Sequence, residues 1–280
     1  MDAIVNLAPT GMIPTKETNP AAPLTPEEIA ADVLGCADIG ITTAHLHARD
    51  ESGLPTHSKD VYARIIGLIR ERRDDLVLCV SCSGRNWSEL EKRAEVLDLD
   101  GDLKPDMASL TLSSLNFVGS SSVNEPQVVQ GLAERMRDRG IKPELEIFDL
   151  GMANYAKYLI GKGVIEGRVY ANIFLGNIAS AQATLLELGV LVEALPRNTI
   201  WSAAGIGDAQ LPMNAIALAY GAGVRVGLED NTWFDQARTQ LATNADLVRR
   251  VGELARVHGR KVMIPAAFRE LLQLGGVRVA

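Results

Sequence analysis

Ile41-Thr42-Thr43-Ala44-His45-Leu46-His47-Ala48-Arg49-Asp50 begins as an apolar, β-branched run and stops on polar side chains. That pattern reads as a buried strand with a functional end. Successive side chains of a strand point to opposite faces, so His45 and His47 aim at one point while Leu46 turns away. Two imidazoles converging this way are a common start of a divalent-metal site, zinc above all. The plainer alternative is a pair of polar residues hydrogen-bonded to backbone. The chain has four histidines, and two of them sit in this motif, which favours the metal reading.

Working outward, short apolar runs, polar turns and amphipathic segments alternate from end to end. Strands are expected at Ala3–Ala8, through His45, and at Leu76–Ser81, Met107–Thr111, Glu144–Phe148, Val169–Leu175, Thr199–Ala203 and Val224–Leu228. A helical pattern follows each. Thr25-Pro26-Glu27-Glu28 opens the first, with Thr25 as N-cap, Pro26 at the first helical position and Glu28 closing a capping box. Asp50 to Lys59 reads as a loop, and the third helix should carry Trp87, Leu90 and Leu97. Later helices fall near Gln127–Arg137, Met152–Ile160, Ala181–Leu195, Met213–Tyr220 and Asp246–Val257. Eight strand–helix units predict an α/β fold, a single TIM (β/α)8 barrel over residues 1–280 with a C-terminal helical tail. The rival, an open doubly wound sheet, lacks a G-x-G-x-x-G after the first strand.

Apolar residues make up 47% and charged residues 22% of the 280, the balance of a water-soluble globular protein. The net charge of −7 gives no sign of a nucleic-acid surface or a polybasic membrane patch, so anionic ligands must meet local cations. Cys36, Cys79 and Cys82 are an odd set without zinc-finger spacing. Cys79 and Cys82 would face opposite sides of one strand, which disfavours a redox pair. No leader pattern or membrane-length apolar run is visible, and a reducing, cytoplasmic location is expected.

Active sites of such barrels lie at the C-terminal ends of the strands. There the sequence places His45 and His47, Ser81-Cys82-Ser83-Gly84-Arg85, Ser109 and Thr111, Glu146, Gly205-Ile206-Gly207-Asp208 and Glu229-Asp230-Asn231. A catalytic zinc takes three protein ligands, often two His and a carboxylate, so Glu229, Asp230, Glu146 and Asp208 are candidates for the third. One carboxylate of the Glu229-Asp230 pair could bind metal while its neighbour works as a base. Arg225 interrupts an apolar strand and shares parity with Glu229. Turned inward, it requires a carboxylate such as Asp230 or a ligand anion. Backbone amides of the Gly205–Gly207 loop could approach an anion or a thioester. Ser81, Ser83 and Ser109 could hold a substrate carboxylate, or merely cap helices.

Ile13-Pro14-Thr15-Lys16, Leu24-Thr25-Pro26-Glu27-Glu28, His45-Leu46-His47 with Arg49, and Gly227-Leu228-Glu229-Asp230-Asn231 together resemble the β-keto acid cleavage enzymes. The likeness extends to Pro105–Leu110, Leu115-Asn116-Phe117, Pro143–Glu146 and Ala204–Gly207, and so spans the whole length. It implies a TIM barrel, zinc, a homotetramer, and transfer of the acyl part of a β-keto acid to coenzyme A. Acetyl-CoA would be the co-substrate and acetoacetate the other product. By position, the resemblance assigns His45, His47 and Glu229 to the metal, Asp230 to the base and Arg225 to its orientation. It assigns Ser81 and Ser109 to the substrate carboxylate and Glu146 to the substrate-side pocket. Where the family's aminohexanoate enzyme has an acidic residue for a substrate ammonium, this chain has Ile13. A neutral acyl tail is therefore expected, or one whose second carboxylate meets Arg85. The competing readings are a zinc hydrolase or metal aldolase that works without CoA, and a catalytically silent binding barrel.

Overall fold

The computed structural model describes residues 1–275 and contains the expected closed barrel. Its eight parallel strands are β1 (Ile4–Leu7), β2 (Thr43–Leu46), β3 (Val77–Val80), β4 (Met107–Thr111), β5 (Lys142–Ile147), β6 (Tyr170–Leu175), β7 (Ile200–Gly205) and β8 (Gly223–Val226). They neighbour one another in chain order, and β1 closes the ring on β8 with Ile4 opposite Gly223 and Leu7 opposite Val226. Each strand is followed by a helix: α1 (Pro26–Ile39), α2 (Lys59–Arg70), α3 (Leu90–Ala94), α4 (Pro126–Asp138), α5 (Leu150–Gly161), α6 (Leu185–Ala194), α7 (Gln210–Tyr220) and α8 (Asn244–Val257). A last helix, α9 (Pro265–Leu272), ends the described chain; residues 276–280 of the expected tail lie outside it. No described helix is long and apolar enough to cross a membrane.

Local chemistry explains where expectation and structure part. The capping box at Thr25 forms as expected, with Thr25 Oγ1 accepting the Glu28 N–H at 3.1 Å. Asp50 to Lys59 is not all loop, because Ala48–Arg49 pairs with Pro55–Thr56 in a small antiparallel hairpin. The third helix does not include Trp87: Asn86 and Ser88 favour turns, so α3 starts at Leu90 and tightens into a 3-10 turn over Glu95–Asp98. α6 starts at Leu185 rather than near Ala181, because the Thr184 hydroxyl caps it by accepting the Glu187 N–H.

Alternation along the strands sorts the core into two parts. Val5, Leu7, Leu78, Val80, Ala108, Leu110, Leu145 and Ile147 face the helices in one continuous layer. Ile4, Val77, Cys79, Met107 and Tyr170 fill the lower barrel interior with Met263, Phe268 and Leu272. Cys79 and Cys82 fall in different clusters, as opposite-facing residues should, and both are free thiols. The tail helix is thus a plug. Phe268 of α9 meets the Tyr170 ring edge-on at 5.3 Å, and Arg269 grips Asp106 with bonds of 2.7 and 3.0 Å.

Asp106 also accepts from the Leu78 N–H and from Arg70, so one buried carboxylate ties α2, β3 and α9 to the barrel floor. Removing one partner of such a group strands the others without compensation. Asp106→Ala should cost about 3 kcal/mol of unfolding free energy, read as a lowered urea midpoint with an unchanged slope.

Candidate metal centre

At the upper end of the barrel, β2 delivers His45 and the residue past it, His47, with ring centroids 5.2 Å apart. Their convergence is the geometry that strand parity predicts. Glu229 reaches them from beyond β8, with Oε1 3.2 Å from His47 Nε2. One ligand atom from each of the three lies within 4.8 Å of the others. His45 Nε2 and Glu229 Oε2 are buried and have no hydrogen-bond partner among the described residues. Buried polar atoms are almost always paired, so these two point to a group that fits between them. Two imidazoles and a carboxylate are the donor set of a catalytic zinc.

Two glycines make the approach possible. The first-loop residue Gly11 packs against Glu229 so closely that a Cβ there would overlap the Glu229 side chain. Gly227 lies at φ +148° with its Cα against the Ala8 carbonyl, a conformation and a clearance that a side chain would forbid. Arg49 holds the first loop in place: its guanidinium donates to the carbonyls of Gly11, Pro14 and Gly53.

Arg225 turns inward and is 1% exposed. Its Nε donates to Asp230 Oδ2 at 2.9 Å, Nη2 lies 2.6 Å from Glu229 Oε1, and Nη1 lies 3.7 Å from Glu144 Oε1. Glu144 accepts a hydrogen bond at 2.9 Å from His45 Nδ1 and another at 3.0 Å from Asn6 Nδ2. With Nδ1–H donating to Glu144, His45 keeps a lone pair on Nε2, the tautomer a metal ligand requires. Below, Asn6, Tyr170, Ser202 and Asn172 form a hydrogen-bonded row across the barrel interior.

The charges of these groups follow from burial and neighbours. Burial opposes ionisation of Glu229, but Arg225 and the two histidines outweigh it and hold its carboxyl below the usual range. Burial pushes Asp230 up to about 6, assisted by the Glu229 charge and opposed by Arg225. Burial also opposes the Glu144 carboxylate, yet His45, Arg225 and Asn6 keep it ionised. His47 is pushed down by its burial, which leaves its nitrogens neutral.

His47, Arg225, Glu229 and Asp230 form the floor of a cavity of 630 Å³ that opens at the strand ends. Ser81, Ser83, Arg85 and Glu146 line its wall, as does Thr111, whose hydroxyl donates to Glu146. Ser109 is not at the wall; it is 1% exposed and its hydroxyl accepts the Cys82 N–H at 3.1 Å. The Gly207 amide is not free for an anion either, since it donates to the Asp230 carbonyl at 2.8 Å. Asp208 stands apart from the metal candidates and pairs with Arg238 at 3.1 Å.

With this arrangement in view, comparison with known proteins is decisive. The sequence profile of the β-keto acid cleavage enzymes matches residues 2–274. The chain belongs to that family. Over 273 residues it is 35% identical to the 3-keto-5-aminohexanoate cleavage enzyme of Fusobacterium nucleatum subsp. nucleatum, covering 97% of both chains. It is 34% identical over 279 residues to the 3-oxoadipate:acetyl-CoA acetyltransferase of Cupriavidus necator, covering 99% of this chain and 96% of that one. Among solved structures, a ternary complex of ObcA with a C4-CoA adduct and oxalate superposes with a TM-score of 0.82 over 91% of this chain and 68% of that one. At 21% identity it shares the fold.

Sequence reasoning about this β-keto acid cleavage enzyme missed Glu144, counting it only as the start of a strand. The signal was present. Glu144 and Glu146 alternate in β5 as His45 and His47 do around β2, so both acids face the barrel interior. Glu144→Gln keeps the shape but weakens the hold on His45 Nδ1. It should lower the site's affinity for a divalent metal by about 10- to 100-fold, measured by competition with a chromophoric chelator.

Proposed function

We propose that the chain condenses a β-keto acid with acetyl-CoA and cleaves the product to acetoacetate and a new acyl-CoA. The observation that carries this reading is the Asp230 carboxylate, clamped by Arg225 beside the His45–His47–Glu229 cluster in a cavity large enough for both substrates' reacting ends. The family and the transferase name of the Cupriavidus necator relative support the same chemistry.

In this reading His45, His47 and Glu229 hold zinc. When bound there, zinc supplies a Lewis acid that polarises the keto carbonyl and acidifies the carbon between it and the carboxylate. Asp230 takes the proton from that carbon, and its raised pKa suits it to a base near neutrality. Arg225 keeps Asp230 oriented and offsets negative charge as the substrate becomes an enolate. The enolate carbon attacks the acetyl carbonyl, and CoA leaves as the thiolate. The thiolate then adds to the former keto carbon, the carbon–carbon bond breaks, and acetoacetate departs with the proton returned by Asp230. No covalent enzyme nucleophile takes part. Ser81, which lines the cavity, would donate to the substrate carboxylate. Ser109 would act one step back, by fixing the Cys82 backbone. The enzyme would work as a homotetramer in the cytoplasm.

Two measurements test this. In a mass-spectrometric screen with acetyl-CoA and a panel of β-keto acids, a new acyl-CoA should form together with acetoacetate. Formation of free acid without a CoA ester would replace the proposal by metal-dependent hydrolysis. Among variants, Asp230→Asn should retain zinc while turnover falls by about 100-fold or more, whereas His47→Ala should lose both. Wild-type turnover by Asp230→Asn would remove it as the base.

A further inference from the structure

The wall of the cavity away from the metal cluster has a chemistry that the reaction above does not use. Phe174, Phe148 and Phe117 form a row: Phe174 and Phe148 stack with centroids 4.4 Å apart, and Phe117 meets Phe148 edge-on at 5.9 Å. A guanidinium stands at each end. Arg225 lies 5.0 Å from the Phe174 ring centroid at the reacting end, and the Arg85 guanidinium carbon lies over Phe117, 3.6 Å from its centroid, at the other. The face of Arg85 is thus held against the ring, while its N–H edges make no hydrogen bond or ion pair to any described residue. Burial pushes its pKa down, against the opposing charges of Glu229 and Glu146.

Local charge points the same way. The carboxylate near Arg85 is Glu146, already engaged by the Thr111 hydroxyl. A second buried cation, Arg93, stands behind this wall and donates only to neutral acceptors: the carbonyls of Cys82 and Val123 and the Asn124 side chain. Arg85 and Arg93 thus share the Glu146 charge, and Glu229 is the other carboxylate that acts on Arg85. The first loop presents the apolar side chain of Ile13 to the same cavity.

Resting on the proposed reaction, we infer that the acyl tail ends in a second carboxylate, and that Arg85 is the residue that selects it. The substrate class is a β-keto dicarboxylic acid. Its reacting end lies by Arg225 and Asp230, its methylenes run along the three phenylalanine rings, and its distal carboxylate takes the free edge of Arg85. A guanidinium edge matches a carboxylate through two parallel N–H bonds, a fit that a hydroxyl or an alkyl end cannot reproduce.

The test uses the zinc-loaded enzyme, acetyl-CoA and β-keto acids of matched length ending in methyl, hydroxyl, ammonium or carboxylate. The carboxylate-ended substrate should exceed the methyl-ended one by about 100-fold in kcat/KM, chiefly through KM. In Arg85→Met that ratio should collapse towards one, and Arg85→Glu should shift preference to the ammonium-ended substrate. Circular dichroism melts of both variants would establish that they fold. An unchanged ratio in folded Arg85→Met, or a wild-type preference for methyl or hydroxyl ends, would overturn the tail assignment and leave the reaction standing. Absence of any new CoA ester across the panel would overturn the reaction and the tail assignment with it.

Discussion

A single guanidinium sets the terms for everything around it. Arg225 lies in a barrel strand with 1% of its surface exposed, where an isolated charge would cost many times the stability of a typical domain contact. Three carboxylates from two parts of the chain meet it: Glu144 from β5, and Glu229 and Asp230 beyond β8. They outnumber it, so the cluster carries excess negative charge. That excess is what a divalent cation neutralises. Buried ion clusters of this kind add little net stability compared with an apolar core of the same volume. Their presence is better explained by what they preorganise than by what they hold together.

The remaining polar interior follows from the same need. Glu144 cannot serve Arg225 alone without leaving its other lone pairs bare, and His45 and Asn6 take them. Asn6 in turn reaches Tyr170, which passes the chain of bonds to Ser202 and Asn172. Thus the hydroxyls and amides in the middle of the barrel are the continuation of one charge outward to neutral partners. Below them the interior becomes apolar again, and α9 closes it with Phe268.

Much of this was legible in the sequence because period-2 alternation and strand ends are strong signals. His45 and His47, the eight strands, the cap at Thr25 and the inward turn of Arg225 all follow from local rules applied one element at a time. What was hidden depends on contacts between distant elements. Ser109 has the parity of an interior residue, but only the fold shows that its hydroxyl is taken by Cys82. The Gly207 amide reads as free for an anion until the chain after β8 brings the Asp230 carbonyl to it. The short α3 is hidden for a similar reason: Arg93, which a helix pattern would leave in solvent, is drawn inward by three acceptors from other loops.

The adjacency of Glu229 and Asp230 shows why a glycine matters as much as the acids. In an extended strand, neighbouring side chains diverge, so two consecutive carboxylates cannot both reach one guanidinium. β8 ends at Val226, and Gly227 at φ +148° turns the chain. The Asp230 and Asn231 amides then both donate back to the Gly227 carbonyl, at 3.3 and 3.2 Å. Within that turn Glu229 and Asp230 both come round to Arg225, Glu229 on Nη2 and Asp230 on Nε with a longer bond to Nη2. One carboxylate is thereby placed against His47 while the other stays free of the histidines. The proposed ligand and the proposed base are therefore separated by backbone geometry rather than by residue type, and Gly227 is the position on which that separation depends.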